Sequence, residues 1–412
     1  MSETWLQKYI FLAFRLHRAV ETTYGSPFVE DYWGPEAWRK HVEAEPEAVP
    51  DDLVRQAMTL ADTLPLQGFP SRRVAYLSTQ IRAMETLARK LCGETFSLAE
   101  EAKRSLDISP RWTLEAQFEQ AHALYESTVP GGAGSLAERV RAYRQTFAFP
   151  QESVEALKEV IKQAMTLARK RTCALMILPE EEVIEMQYFP EKEYDAAARY
   201  QGGYRTRVEI NLTTTAAWFS RLFDHKVCHE GYPGHHTEYV LKDQYLARRG
   251  YTEQTLYLTL VPQCVMSEGI AMVAHEMIFS EGEAERWITK HIEQMFHIEV
   301  DAEALLRLRQ ASNMLEGVWS NAAMLLDEGC SEAEVVQYFV KYMLLPEDRA
   351  SSSVALLKHP LHGLHSALTY GTGQQLVRRW VQGPDRIAVF QRLLTEQWTP
   401  SQLARNVLPL PE

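Results

Sequence analysis

Cysteine is scarce in this chain of 412 residues: Cys92, Cys173, Cys228, Cys264 and Cys330 are widely spaced and include no Cys-x-x-Cys pair. An odd, dispersed set excludes a disulfide framework and a thiolate zinc site, and it fits a reducing compartment. Long apolar runs are also missing. The N-terminal stretch from Tyr9 to Phe14 is too short to span a bilayer, and Arg15 and His17 interrupt it before any small-residue cleavage site. It reads as an amphipathic helix of a cytoplasmic protein with no membrane role. Glycine and proline are few, at 20 and 19 residues, beside 46% hydrophobic residues, which rules out a disordered or collagen-like chain. Basic residues are outnumbered by acidic ones, 43 to 55, and the formal charge of -12 opposes binding to nucleic acid or to anionic membrane surfaces.

What is present is mostly helical periodicity. Apolar residues recur every three or four positions from Leu53 to about Leu91 and from Leu114 to Tyr125, with breaks at Pro65 to Pro70 and at Pro130 to Gly134. The glycine-rich run from Pro130 to Ser135 lacks the lysine that would reach a phosphate, so it is an interhelix loop. After Pro179 the pattern changes. Val183 to Phe189 is rich in strand formers, and Ala197 to Tyr200 and Arg205 to Leu212 flank Gly202-Gly203 as a hairpin. Thr206, Val208, Ile210 and Leu212 alternate with polar residues and belong on a core face. Threonines 213 to 215 offer a cap for a helix from Ala216 to about Tyr232, and Ser267 offers one for a run through Phe279. Further helices are expected over 283–327 and 331–343. The expected fold is mainly α, two helical lobes with a small antiparallel sheet before the helix that carries the histidine cluster. Residues 1–175 would form the N-terminal lobe and 176–412 the second lobe of one compact unit.

Thirteen histidines are scattered, but three fall within eight residues, in Cys228-His229-Glu230-Gly231-Tyr232-Pro233-Gly234-His235-His236. On the preceding helix both His229 and Glu230 end apolar rows, and a buried imidazole beside a buried carboxylate needs a compensating partner. Zinc hydrolases use His-Glu-x-x-His on a helix, with two imidazoles on the metal and the glutamate activating water. Here Pro233 occupies the place of the second histidine. In an unbroken helix His236 would lie roughly 10.5 Å along the axis from His229. Pro233 and Gly234 favour a break or bulge, after which His235 serves as second ligand, with His236 as the alternative. Glu268, in Ser267-Glu268-Gly269-Ile270-Ala271, is the candidate third ligand, leaving one position for water.

These residues resemble an uncharacterised bacterial family with the signature His-Glu-x-x-Pro-Gly-His-His followed by a Glu-Gly-x-Ala helix. That family is grouped with the gluzincin zinc metallopeptidases, distantly like the Taq-type carboxypeptidases and neurolysin. Asp31-Tyr32-Trp33-Gly34-Pro35, Gly134-Ser135-Leu136 with Glu138-Arg139, Ile210-Asn211-Leu212, and Ala367-Leu368-Thr369-Tyr370 with Gly373 extend the likeness over most of the chain. The resemblance implies a helical fold with a groove, bound Zn2+ and hydrolysis of peptide substrates. Glu230 would be the general base and Tyr370 the donor to the oxyanion. The arm from Arg205 to Leu212 would pair with substrate as an exposed edge strand. Arg205, Arg207, Arg378 and Arg379 are candidate clamps for a substrate carboxylate, as in a carboxypeptidase. His359, His362 and His365 surround the tail motif, and any of the three could also donate to the oxyanion. Two other readings compete: a di-iron helical protein, for which Glu119 and His122 are the sole convincing helical pair, and a non-catalytic helical binding protein with a degenerate metal site.

Overall fold

In the computed structural model, residues 4–150, 153–192, 194–297 and 299–405 are described. The first part of the chain forms α1 (Trp5–Tyr24), β1 (Val29–Tyr32), α2 (Glu36–Glu43), α3 (Pro50–Thr63), α4 (Ser71–Leu91), α5 (Leu98–Glu101), α6 (Glu115–Thr128), α7 (Leu136–Gln145) and α8 (Val154–Leu175). Then come β2 (Val183–Phe189), β3 (Ala196–Gly202), β4 (Arg205–Asn211), α9 (Leu212–Ala217), a π-helical segment (Phe223–Gly231), α10 (His235–Tyr245), β5 (Leu256–Leu258) and α11 (Pro262–Ile278). The rest is helical: α12 (Glu283–Phe296), α13 (Ala302–Met314), α14 (Gly317–Asp327), α15 (Glu332–Met343), α16 (Glu347–Leu357), α17 (His362–Trp380), α18 (Arg386–Thr395) and α19 (Pro400–Ala404). The protein is thus mainly helical, as its periodicity predicts.

Local chemistry sets many of the helix starts. Thr4 with Gln7, Ser135 with Glu138, Ser331 with Glu334 and Thr399 with Gln402 close reciprocal capping boxes, satisfying two otherwise unpaired backbone donors at each start. The run Tyr9 to Phe14 is buried along its whole length while Lys8 and Glu21 are exposed, so α1 is an amphipathic helix that lays its apolar face in the core. Among the described residues no helix is long and apolar enough to cross a membrane.

The hairpin expected around Gly202-Gly203 is β3–β4, antiparallel, with both glycines at positive φ. β2 joins β4 in parallel, so the three-stranded sheet is mixed and has the order β2-β4-β3. The strand expected to be a free edge, β4, is therefore the central one. Its backbone is paired on both sides and is not open to a substrate strand. Elements from either side of residue 175 pack together: β1 pairs antiparallel with β5, α6 packs on α13, and α8 packs on the π-helical segment.

Candidate metal centre

Three elements carry the site. The helix expected from Ala216 to Tyr232 is broken into α9, which Asn211 caps, a short 3-10 turn at Phe219–Arg221, and the π-helical segment. Leu222, Phe223 and Val227 are buried, and they bury the face that ends in His229 and Glu230. Three residues then reverse the chain, and His235 opens α10. A Cβ at Gly234 would lie 2.0 Å from the His229 carbonyl oxygen and 2.2 Å from that of Cys228, so only glycine fits this reversal. The turn folds His235 back over His229, with ring centroids 4.8 Å apart and nearly perpendicular.

Glu268 comes from α11. Pro262 starts this helix at its first turn, so Ser267 lies inside it rather than capping it, and Glu268 is a mid-helix residue. The α11–α17 crossing is close: a Cβ on Gly269 would meet the Gly373 carbonyl oxygen at 2.4 Å, and one on Gly373 would meet that of Val265 at 2.4 Å. Tyr370 sits one turn before Gly373 on α17, and this crossing sets its place relative to Glu268.

The ligand atoms of His229, His235 and Glu268 all lie within 4.8 Å of one another. His229 Nε2 is 3.2 Å from Glu268 Oε2, and His235 Nε2 is 3.6 Å from Glu268 Oε1. Donors about 2.1 Å from a tetrahedral ion stand about 3.4 Å apart, a value that lies between these two distances. Glu268 Oε2 is buried without a hydrogen-bond partner, as is His229 Nδ1. Two imidazole nitrogens, one carboxylate and an orphaned buried acceptor fit a zinc ion.

A polar chain supports His235 from behind. Lys242 Nζ donates to Glu238 Oε1 (2.5 Å), Ser267 Oγ donates to Glu238 Oε2 (2.5 Å), and His235 Nδ1 is 3.1 Å from Ser267 Oγ. Since the serine proton goes to Glu238, its oxygen accepts from His235 Nδ1–H, which leaves the Nε2 lone pair facing Glu268. Tyr239 lies parallel to the His235 ring at 5.8 Å. Burial alone would lower the basicity of His235, but Glu268 and Glu238 raise it well above the usual histidine range. Burial opposes ionisation of Glu268 too, yet His235 and His229 hold its carboxyl well below the usual range. Burial likewise opposes ionisation of Glu238, and Lys242 and His235 bring it down to about 2. These opposed shifts are those of buried acid–base partners that stabilise each other's charge.

His236 is not part of this group. Although adjacent to His235, it turns to the sheet side: Nδ1 is 2.7 Å from Thr206 Oγ1 and Nε2 is 2.8 Å from Glu182 Oε2. Arg169 Nε and the Tyr232 hydroxyl both donate to the same Glu182 carboxylate. The alternative ligand is therefore replaced by an anchoring role. Glu230 is buried beside the group and makes no hydrogen bond to another described residue. Tyr370 is 37% exposed, with its ring 5.3 Å from that of His365.

Other candidates lie elsewhere. Arg205 pairs with Glu185, Arg207 with Glu209 (3.0 Å) and Arg378 with Glu276 (2.5 Å), so three of the four arginines proposed as clamps are already engaged. His122 Nε2 lies 2.9 Å from the Tyr342 carbonyl oxygen, a structural role. Ser267, Glu238 and Lys242 were not anticipated, although Glu238 and Lys242 follow His235 at the i+3 and i+7 spacing of one helix face.

No family model matches the chain, and no curated protein sequence does. Among solved structures, a candidate lipoprotein from Colwellia psychrerythraea superposes with a TM-score of 0.52 at 15% identity, over 90% of this chain and 68% of its own. A candidate lipoprotein of unknown function from Shewanella oneidensis gives 0.47 at 12% identity, over 86% of this chain and 72% of its own. The first of these likenesses is one of fold alone.

Proposed function

We propose that this protein is a zinc-dependent metallopeptidase that hydrolyses short or unfolded peptides. The observation that carries the reading is the buried His229-His235-Glu268 group, whose ligand atoms all lie within 4.8 Å of one another, with the unengaged carboxylate of Glu230 near it. When bound, zinc would supply Lewis acidity, polarising the scissile carbonyl and making a water acidic near neutral pH. Glu230 takes the proton of the attacking water and passes it to the leaving amine. Tyr370 donates its hydroxyl proton in a hydrogen bond to the carbonyl oxygen as negative charge develops there. The charge of Glu268, and then burial, raise the Tyr370 phenol well above its ordinary range, so it stays a donor throughout the neutral range. The ligands and the base are each less than a tenth exposed, which favours a thin, extended chain over a folded protein.

The purified chain should carry about one zinc, and it should cut members of a peptide library in a chelator-sensitive way, read by mass spectrometry. Glu230→Gln should keep the metal and lose about two to four orders of magnitude in rate. A metal-free protein, or equal activity in both forms, refutes the reading. A binding protein with a spoiled site would bind peptide without cutting it.

A further inference from the structure

Three glutamates follow one another at the entry to β2. Glu180 and Glu181 are exposed, whereas Glu182 is buried. A buried carboxylate must be matched by donors, and Glu182 has three. Arg169 Nε of α8 donates to its Oε1 (2.6 Å), while the Tyr232 hydroxyl (2.5 Å) and His236 Nε2 (2.8 Å) share its Oε2. Tyr232 follows directly on the π-helical segment and His236 stands in the first turn of α10, so these two donors bracket the reversal that delivers His235. Their rings also pack edge to face, with centroids 4.8 Å apart.

Resting on the zinc-peptidase reading, we infer that Glu182 is a positioning residue for the metal centre: by holding both ends of the reversal on one carboxylate, it sets where His235 stands against His229 and Glu268. It is not itself one of the grouped ligands. Gly234 precedes α10 without a side-chain cap, so the first turn of this helix depends on contacts its own side chains make. On one side His235 Nδ1 meets Ser267, and on the other His236 meets Glu182 and Thr206 of β4. Upstream, a Cβ on Gly231 would lie 2.5 Å from Met165 Sδ and 3.3 Å from Ile184 Cδ1, so the end of the π-helical segment is pressed against α8 and β2, the elements on either side of Glu182. Removing the carboxylate leaves the buried Tyr232 hydroxyl and His236 Nε2 without the acceptor they share. The first turn of α10 then loosens, and the His235 ring loses its fixed direction.

Competition with a chromogenic chelator on the full chain reads zinc affinity. Glu182→Ala should weaken it about 10- to 100-fold, although the variant still loads at saturating zinc. Tyr232→Phe, which keeps the ring and removes one hydrogen bond to the carboxylate, should weaken it about 3- to 10-fold. Glu182→Gln, which retains one carbonyl acceptor, should recover part of the loss. Leu53→Ala, in the buried face of α3, lowers stability without altering the reversal and should leave the affinity unchanged. Cobalt(II) in place of zinc adds a signature of geometry: the visible bands of a four-coordinate centre should weaken in Glu182→Ala and persist in Leu53→Ala. Affinities of Glu182→Ala and Tyr232→Phe within about twofold of wild type, or a loss that Leu53→Ala reproduces, overturn the proposal and leave the zinc reading intact. If Glu182→Ala does not fold, Tyr232→Phe decides alone. A wild-type chain that binds no zinc refutes the zinc reading, and the role of Glu182 falls with it.

Discussion

The sharpest structural test lies where α11 and α17 touch. Gly269→Ala places a methyl 2.4 Å from the Gly373 carbonyl oxygen and 2.9 Å from Val377 Cγ2. An ordinary carbon–oxygen contact is about 3.4 Å, so the helices must separate by close to 1 Å or the backbone must bend. Both atoms on the far side are held in a buried helix, and the oxygen is backbone and cannot rotate away. The expected cost is about 3 kcal/mol, the upper end for overpacking. Gly373→Ala, aimed at the Val265 carbonyl oxygen from the other side, should cost about as much. Once one methyl has parted the helices, the second meets less resistance. The double variant should therefore lose well under the sum, about 4 kcal/mol, since residues in contact couple. Denaturant midpoints for the four proteins measure this. The same shift would carry Tyr370 away from Glu268, and a displacement near 1 Å costs roughly 100-fold in rate. If both single variants unfold within about 0.5 kcal/mol of wild type, or if their losses simply add, the close approach is refuted.

Further outcomes follow from the same geometry. His235→Ala should abolish zinc binding, whereas His236→Ala should keep about one zinc per chain while lowering stability by roughly 1–3 kcal/mol, because it removes a buried partner of Glu182 and leaves the Thr206 hydroxyl unpaired; metal analysis with unfolding curves distinguishes the two. Glu238→Gln should weaken zinc affinity by about 10- to 100-fold through the Ser267–His235 chain, measured by competition with a chromogenic chelator. Asp224 is almost fully buried; burial opposes its ionisation, but Arg221, His225 and His275 bring its pKa down from 3.8 to about 2. A depressed carboxyl contributes stability that is fully present above its unfolded value and is lost as pH falls from about 4 towards 2. That contribution is about 2 kcal/mol, and Asp224→Asn should flatten the acid limb of a stability–pH profile by this amount.

Much of the molecule was legible in the residue order, because short-range physics governs it. The helix over 331–343 and the strands at Val183 and Arg205 are local features, visible in composition and spacing. Ser267 misled because a serine before an apolar run resembles a cap, whereas Pro262 had already begun the helix. The sheet order could not be read, since β2 reaches β4 by a long-range parallel pairing that leaves no local mark.

The sequence by itself determined the donor types of the candidate centre, the break that Pro233 and Gly234 impose between them, and the mainly helical fold. Only the tertiary structure decided which of two adjacent histidines turns to Glu268. Neighbouring residues on a helix point about 100° apart, so the choice falls to what waits on each side: Glu182 and Thr206 for His236, Ser267 and Glu268 for His235. Those partners lie some thirty to fifty residues away in the chain, and only packing brings them near.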